Sequence, residues 1–145
     1  MLVYPVRRIG AHWEYLLLRR IPSRGGFWQG VTGGVQQGEG LTEAAQRELL
    51  EETGLAPSLL EKINYSYSFP LDKEWRHLYS SEVRELTEYV FVAHIGAQQE
   101  PQIDPLEHNE WRWCRLEEAL ELLYWPENKE ALKQCHEFLL RRFSL

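Results

Sequence analysis

Three glutamates, Glu48, Glu51 and Glu52, stand at i, i+3 and i+4 of a segment with helical periodicity, so their carboxylates project from one face. Like charges so placed repel by roughly 0.2–0.5 kcal/mol per pair, small enough that a solvated acidic face is the ordinary explanation. Glu43 and Arg47, at i and i+4, read as a surface pair, and no Lys or Arg follows the triplet to relieve it. The alternative chemistry is a divalent cation site. Hard cations such as Mg2+ take oxygen ligands, use one or two carboxylates, and complete their octahedron with water and substrate phosphates.

The surrounding stretch, GGVQQGEGLTEAAQRELLEETGL from Gly33 to Leu55, holds five glutamates and five glycines. A glycine-rich turn feeding a helix lets backbone approach a ligand closely and offers free amides and carbonyls. A Walker A loop is excluded because its Gly-Lys-Ser/Thr end is missing, and no GxGxxG dinucleotide fingerprint occurs. No pair of histidines has metal-ligand spacing, so His108 reads as a surface or supporting residue rather than a ligand.

The elements that must position these acids can be read from periodicity. Leu41, Ala45, Leu49 and Thr53 recur every four residues and predict a helix over Leu41–Thr53 with one core-facing stripe. Gly54 followed by apolar Leu55 is the expected left-handed cap, and Pro57 prevents continuation. Upstream, Leu2–Ile9 and Glu14–Arg20 flank GAHW as a hairpin, with Pro5 favouring an edge position for the first strand. IPSRGGFWQG reads as a loop carrying Phe27 and Trp28, and Val31–Val35 as a short strand. Downstream, KINYSYSF and LTEYVFVAHI are β-rich, separated by a charged, mobile connection from Pro70 to Arg84. A short strand over Trp111–Cys114 and two amphipathic helices, Leu116–Tyr124 and Glu127–Arg142, separated at Pro126, finish the chain. Strands, helix, strands and helices in that order predict a mixed α/β domain.

At 145 residues the chain fits one domain, 1–145, with 43% apolar residues to fill its core. A formal charge of −6 disfavours a nucleic-acid backbone binder and means that a polyanionic substrate needs a cation. Cys114 and Cys135 share no CxxC spacing and read as buried thiols of a reducing compartment. No run of about 18 apolar residues or secretion signal is present, so a soluble, cytoplasmic protein without membrane partners is expected.

The spacing of Gly33, Glu39, Arg47, Glu48, Leu49, Glu51, Glu52, Gly54 and Leu55 resembles the signature of the Nudix hydrolases at every fixed position. Gly40 departs from common members, in which a Ser or Thr often caps the helix, a difference of a few tenths of a kcal/mol. The resemblance implies an α/β/α sandwich around a mixed sheet, and hydrolysis of pyrophosphate bonds with Mg2+, or Mn2+ as the alternative. It implies Glu48, Glu51 and Glu52 as metal ligands joined by the Gly33 carbonyl, and Glu48 or Glu51 as the base. Glu39 is implied in support, with Arg47 orienting a catalytic glutamate.

Outside that signature, FWQGVTGGVQQGE, LTEYVFVAHI, EHNEWRW and YWPENKEAL resemble the bacterial dihydroneopterin triphosphate pyrophosphatases, also described as dATP pyrophosphohydrolases. This likeness makes Glu107 a further metal ligand or base from outside the helix. Trp28 and Gln29 become candidates for stacking on and hydrogen-bonding to a flat base or pterin, although Trp28 reads equally as a core aromatic. Arg19 and Arg20 alternate faces, so one of them, assigned as Arg19, reaches substrate phosphate. Trp111 and Trp113 share a face, which puts at least one in the core. The expected reaction releases monophosphate and pyrophosphate from a nucleoside or pterin triphosphate, in a monomer or homodimer. A dinucleoside polyphosphate hydrolase and a non-catalytic nucleotide-binding module are the alternatives.

Overall fold

Tyr15–Leu18 is a run of four apolar residues, all fully buried, and such a run needs cover on both faces of its sheet. The computed structural model, which describes residues 1–71, 79–80 and 82–143, provides that cover. Among the described residues one seven-stranded mixed sheet carries a helix on one face and two on the other. Its strands are β1 (Leu2–Ile9), β2 (His12–Arg20), β3 (Trp28–Gln29), β4 (Val31–Thr32), β5 (Leu59–Pro70), β6 (Glu85–His94) and β7 (His108–Cys114). The helices are α1 (Leu41–Thr53), α2 (Leu116–Leu122) and α3 (Pro126–Arg142).

β1 and β2 form a hairpin in register Val6↔Tyr15 to Ile9↔His12. Its two-residue turn uses Gly10 at φ +61°, a conformation open to glycine at little cost. β1 runs parallel to β6, which pairs antiparallel with β5, while β7 adds to the far side of β2. Leu16 and Leu18 of β2 meet Ala44, Ala45 and Leu49 of α1, whereas Tyr15 and Leu17 meet Ala131, Leu132 and Leu139 of α3. The period-two alternation of one strand thus feeds two separate cores. Trp111 and Trp113 both pack against the α1-side core.

Helix α1 ends as expected. Gly54 takes φ +68° and donates its amide to the Leu50 carbonyl at 2.9 Å, and Leu55 is buried behind it. Its N-cap is Gly40, which contributes no side-chain cap. Pro126 opens α3 in its first turn, where a missing amide hydrogen breaks no helical bond.

Several boundaries differ from expectation. Pro5 is not on an edge: β1 lies between β2 and β6. The proline falls between the Leu2–Val3 pairing with β4 and the Val6–Ile9 pairing with β2, where a donor is not called for on that side. The expected loop around Phe27 contains a short 3-10 turn at Pro22–Arg24 and then β3, and β4 ends at Thr32 rather than Val35. β2 starts earlier than Glu14, β7 earlier than Trp111, and α2 ends at Leu122 rather than Tyr124. Most of the charged connection expected between Pro70 and Arg84 lies outside the described residues. No helix among the described residues is long and apolar enough to cross a membrane.

Adjacent leucines on α1 separate packing from surface effects. Leu49 is fully buried and Leu50 is 60% exposed, so Leu49→Ala is expected to destabilise by about 2–5 kcal/mol. Leu50→Ala should stay within about 0.5 kcal/mol, and urea denaturation midpoints compare the two directly.

Candidate metal and phosphate site

The acids of α1 do not share one environment. Glu51 is exposed, Glu48 is half-buried, and Glu52 is buried at 4% exposure. The helix turns Glu52 towards the sheet beside Leu49 and Thr53 while Glu51 stays outside, so the triplet spans the boundary of the core.

Arg47 organises the outer part. Its Nε donates to Glu39 Oε2 at 2.7 Å and its Nη2 to Glu39 Oε1 at 3.0 Å, a bidentate pair. The same guanidinium donates to Glu48 Oε1 at 2.8 Å, to Glu51 Oε2 at 3.3 Å and to the Gly34 carbonyl at 2.9 Å. Glu43 is not its partner, contrary to the i,i+4 expectation. The repulsion within the triplet is therefore relieved by a cation that precedes it. Glu39, anchored by Arg47 and by the Gln36 amide, is held below the usual carboxylate range, and Arg47 is raised above the usual guanidinium range by Glu39 and Glu48.

Gly33 lies directly beneath the Glu48 side chain, where an added Cβ would collide with the carboxyl group. Its carbonyl accepts a 2.7 Å hydrogen bond from the Met1 ammonium, which also pairs with Glu88 at 3.2 Å.

The inner part of the site joins Glu52 to the turn before β7. Donor atoms of Glu52, Glu107 and His108 all lie within 4.8 Å of one another. Burial, followed by the neighbouring Glu48 carboxyl and then Glu107, pushes Glu52 up to about 9. His108 is 1% exposed, and neither ring nitrogen has a hydrogen-bond partner among the described residues. Burial and the charges of Arg20 and Arg24 lower it to about 4, which keeps the imidazole neutral. A buried carboxyl, a second carboxylate and a neutral imidazole with an open lone pair form a donor set that fits a divalent cation. Glu107 is the acid the resemblance implied, whereas His108 was read as a surface or supporting residue; its place beside Glu52 follows from the register shift in the β2–β7 ladder that sets it opposite Arg20.

Of the two arginines ending β2, Arg20 faces the acids and Arg19 does not. Strand alternation puts Arg20 with Leu16 and Leu18 on the α1 face, where Glu52 and Glu107 act on its charge. Arg19 is half-exposed on the other face, bound to the Gly26 carbonyl at 3.3 Å and 3.7 Å from Glu110. Arg24 approaches Glu107 at 3.9 Å.

A cavity of about 430 Å³ opens on the α3 face, lined among others by Gln29, Thr32, Tyr67, Phe69, Trp125 and Asn128. Gln29 bonds Thr32 Oγ1 at 3.2 Å, and Asn128 donates to the Tyr67 hydroxyl at 3.1 Å. Trp28 is instead a core aromatic, packed with Tyr4 and Leu123. Trp125 takes the cavity position because it caps α3 at the rim. Thr32 lines the cavity and the next residue, Gly33, backs Glu48, so two adjacent residues connect cavity and acids.

A profile of the NUDIX domain matches residues 3–135. The chain is 31% identical over 120 residues to a dihydroneopterin triphosphate diphosphatase of Haemophilus influenzae, covering 80% of this chain and 74% of that protein. It is 33% identical over 130 residues to an octanoyltransferase of Myxococcus xanthus, covering 90% of this chain but 34% of that protein. A NUDIX hydrolase structure from Listeria monocytogenes superimposes with a TM-score of 0.83 at 30% identity, covering 97% of this chain and 93% of the other. The dihydroneopterin triphosphate pyrophosphohydrolase of E. coli superimposes at 0.69 with 27% identity, covering 91% of each chain. The chain belongs to the Nudix hydrolase family, enzymes that act on phosphoric anhydride bonds.

Gly33 and Gly34 test the geometry around Glu48. Gly33→Ala is expected to displace that carboxylate and lower kcat/KM for nucleoside triphosphate hydrolysis by about a hundredfold. At Gly34, where an added Cβ meets nothing within 4 Å, alanine should leave the steady-state constants within about threefold.

Proposed function

We propose that the protein is a divalent-metal-dependent pyrophosphohydrolase that cleaves a nucleoside triphosphate or dihydroneopterin triphosphate to the monophosphate and pyrophosphate. The observation that carries this reading is the adjacency of an aromatic-lined cavity and a buried acidic cluster through Thr32 and Gly33. A flat heterocycle fits between Tyr67, Phe69 and Trp125, with the Gln29 and Asn128 amides at its edge. Its phosphate chain then passes over the glycine turn towards α1.

Glu52 and Glu107, with Glu48 and Glu51 alongside, would hold Mg2+ or Mn2+; the Gly33 carbonyl, engaged by the Met1 ammonium, would join them only if that bond is released. Such a cation neutralises phosphate charge and lowers the pKa of an attacking water. Glu48 or Glu51 would serve as the base that takes a proton from the attacking water. Arg47 keeps Glu48 aimed across the turn and is itself steadied by Glu39. Arg20 and Arg24 offer guanidinium donors to the polyphosphate from the opposite wall. Arg19, turned to the other face, is not assigned that task. Two buried free thiols and a formal charge of −6 support a reducing, cytoplasmic setting and a small-molecule rather than nucleic-acid substrate.

A second reading has one observation in its favour. Phe27, Tyr124 and Trp125 form an aromatic cluster at the cavity rim, with Tyr124 65% exposed. This cluster could stack a second base, as a dinucleoside polyphosphate would require.

A panel of dihydroneopterin triphosphate, dATP, oxidised dGTP, diadenosine tetraphosphate and a 5′-triphosphorylated RNA decides by kcat/KM and products. The first two should rank highest and release pyrophosphate; vigorous hydrolysis of diadenosine tetraphosphate or RNA beside their failure rejects the substrate choice. Glu52→Gln, an isosteric neutral change, should cut turnover by at least about a hundredfold. The Tm of the metal-free variant should be unchanged or raised, since a buried carboxyl is replaced by an amide.

A further inference from the structure

We propose that His108 is a direct nitrogen ligand of the divalent cation held by Glu52 and Glu107, making this a mixed oxygen and nitrogen site. The proposal rests on the divalent-cation reading above and adds to it a ligand outside the glutamates of α1.

His108 is 1% exposed, and both Nδ1 and Nε2 are buried without a hydrogen-bond partner among the described residues. Each unpaired polar atom so placed costs about 1–3 kcal/mol, so an imidazole here that only filled space would be replaced at a gain by Leu or Phe. The nearest complementary group is Glu52 Oε1, 3.8 Å from Nε2. That gap is too wide for a hydrogen bond. It falls within the span of roughly 3–4.3 Å that two donors occupy when each lies about 2.0–2.2 Å from one shared ion. Glu107 supplies the third donor, since one donor atom from each of the three side chains fits within 4.8 Å of the others.

The backbone that carries this pair is fixed from two directions. Glu107 and His108 both donate their amides to the Asp104 carbonyl, at 3.0 and 2.9 Å, and the Glu107 carbonyl accepts from the Ile21 amide at 3.0 Å. The β2–β7 register shift then sets His108 opposite Arg20, at the end of the strand. A turn locked in this way presents a preformed ligand pair rather than a loop that must order around an ion.

Nitrogen in the ligand set changes metal preference. Imidazole suits Zn2+ and related first-row cations, whereas Mg2+ prefers oxygen and retains water. Removing His108 should therefore weaken Zn2+ far more than Mg2+.

The direct test is pulsed electron paramagnetic resonance on the protein loaded with Mn2+ alone. Wild type should show modulation from a coordinated imidazole nitrogen, and His108→Gln should abolish it. Calorimetric titration should show the Zn2+ dissociation constant of the variant rising at least about tenfold, with that for Mg2+ changing less than about threefold. Hydrolysis together with Mn2+ binding but without nitrogen modulation in wild type would overturn the His108 assignment and leave the proposed function standing. Absence of Mn2+ binding would overturn both. Because the wild-type spectrum is decisive by itself, the assignment stays testable if His108→Gln does not fold.

Discussion

One guanidinium ties the acidic helix to the glycine turn. Arg47 binds Glu39 with two hydrogen bonds, reaches Glu48 and Glu51 on its own helix, and caps the Gly34 carbonyl. Without it, three carboxylates would repel one another and the turn would have no polar bond to α1 through this side chain. The glycines are the other half of the same constraint. Glu48 can lie against Gly33 only because no Cβ intervenes, so helix and turn approach to a separation that any larger residue forbids. Positions thirteen or more residues apart are locked by charge on one side and by absence of a side chain on the other.

Burial divides the acids by function. Glu51 remains in solvent, Glu48 is held by Arg47, and Glu52 sinks beside Leu49 into the α1-side core. Burial favours the protonated form of Glu52. On the proposed reading, a divalent cation bound there would displace that proton. His108 behaves comparably on the opposing turn, where burial and two arginines keep the ring neutral and its lone pair available.

Much of this was legible in the residues, and what was not has physical reasons. The stripe Leu41, Ala45, Leu49 and Thr53, the Gly54 cap and the doubly buried run Tyr15–Leu18 are local patterns, and the helix, its end and the central strand follow them. Arg47 as the partner of a catalytic glutamate was anticipated through the family resemblance, but its bidentate pair with Glu39 was not; spacing alone suggested Glu43, because a helix-surface rule cannot see a turn folding back over the helix. Pro5 suggested an edge because the rule considers one strand at a time, whereas here the neighbour changes from β4 to β2 at that residue. The two-residue strand β3 is too short to show a period, whereas β4 begins where the short strand over Val31–Val35 was expected and stops at Thr32. Trp28 was open to a core or a pocket reading for a similar reason: only the sheet's third dimension shows that its indole joins the core while Trp125 lines the cavity. His108 looked like an ordinary lone histidine because its burial arises from the β2–β7 register shift.

The cavity and the acids occupy opposite faces of the sheet, with α3 beside one and α1 beside the other, and Thr32–Gly33 is the short covalent link between them. A molecule engaging both must be elongated, with an apolar, flat end and a charged tail that crosses the end of β4. On the proposed reading, recognition and bond cleavage would depend on different side chains. Substitutions among Tyr67, Phe69, Trp125 and Asn128 can alter which ring is accepted without moving a carboxylate, because those residues touch neither Arg47 nor Glu52 in the hydrogen-bond network. Such a separation would be compatible with the different substrates in the names of similar proteins, a dihydroneopterin triphosphate diphosphatase and an RNA pyrophosphohydrolase. The constant part is the charge problem of a phosphoric anhydride, and the variable part is the surface that grips whatever carries it.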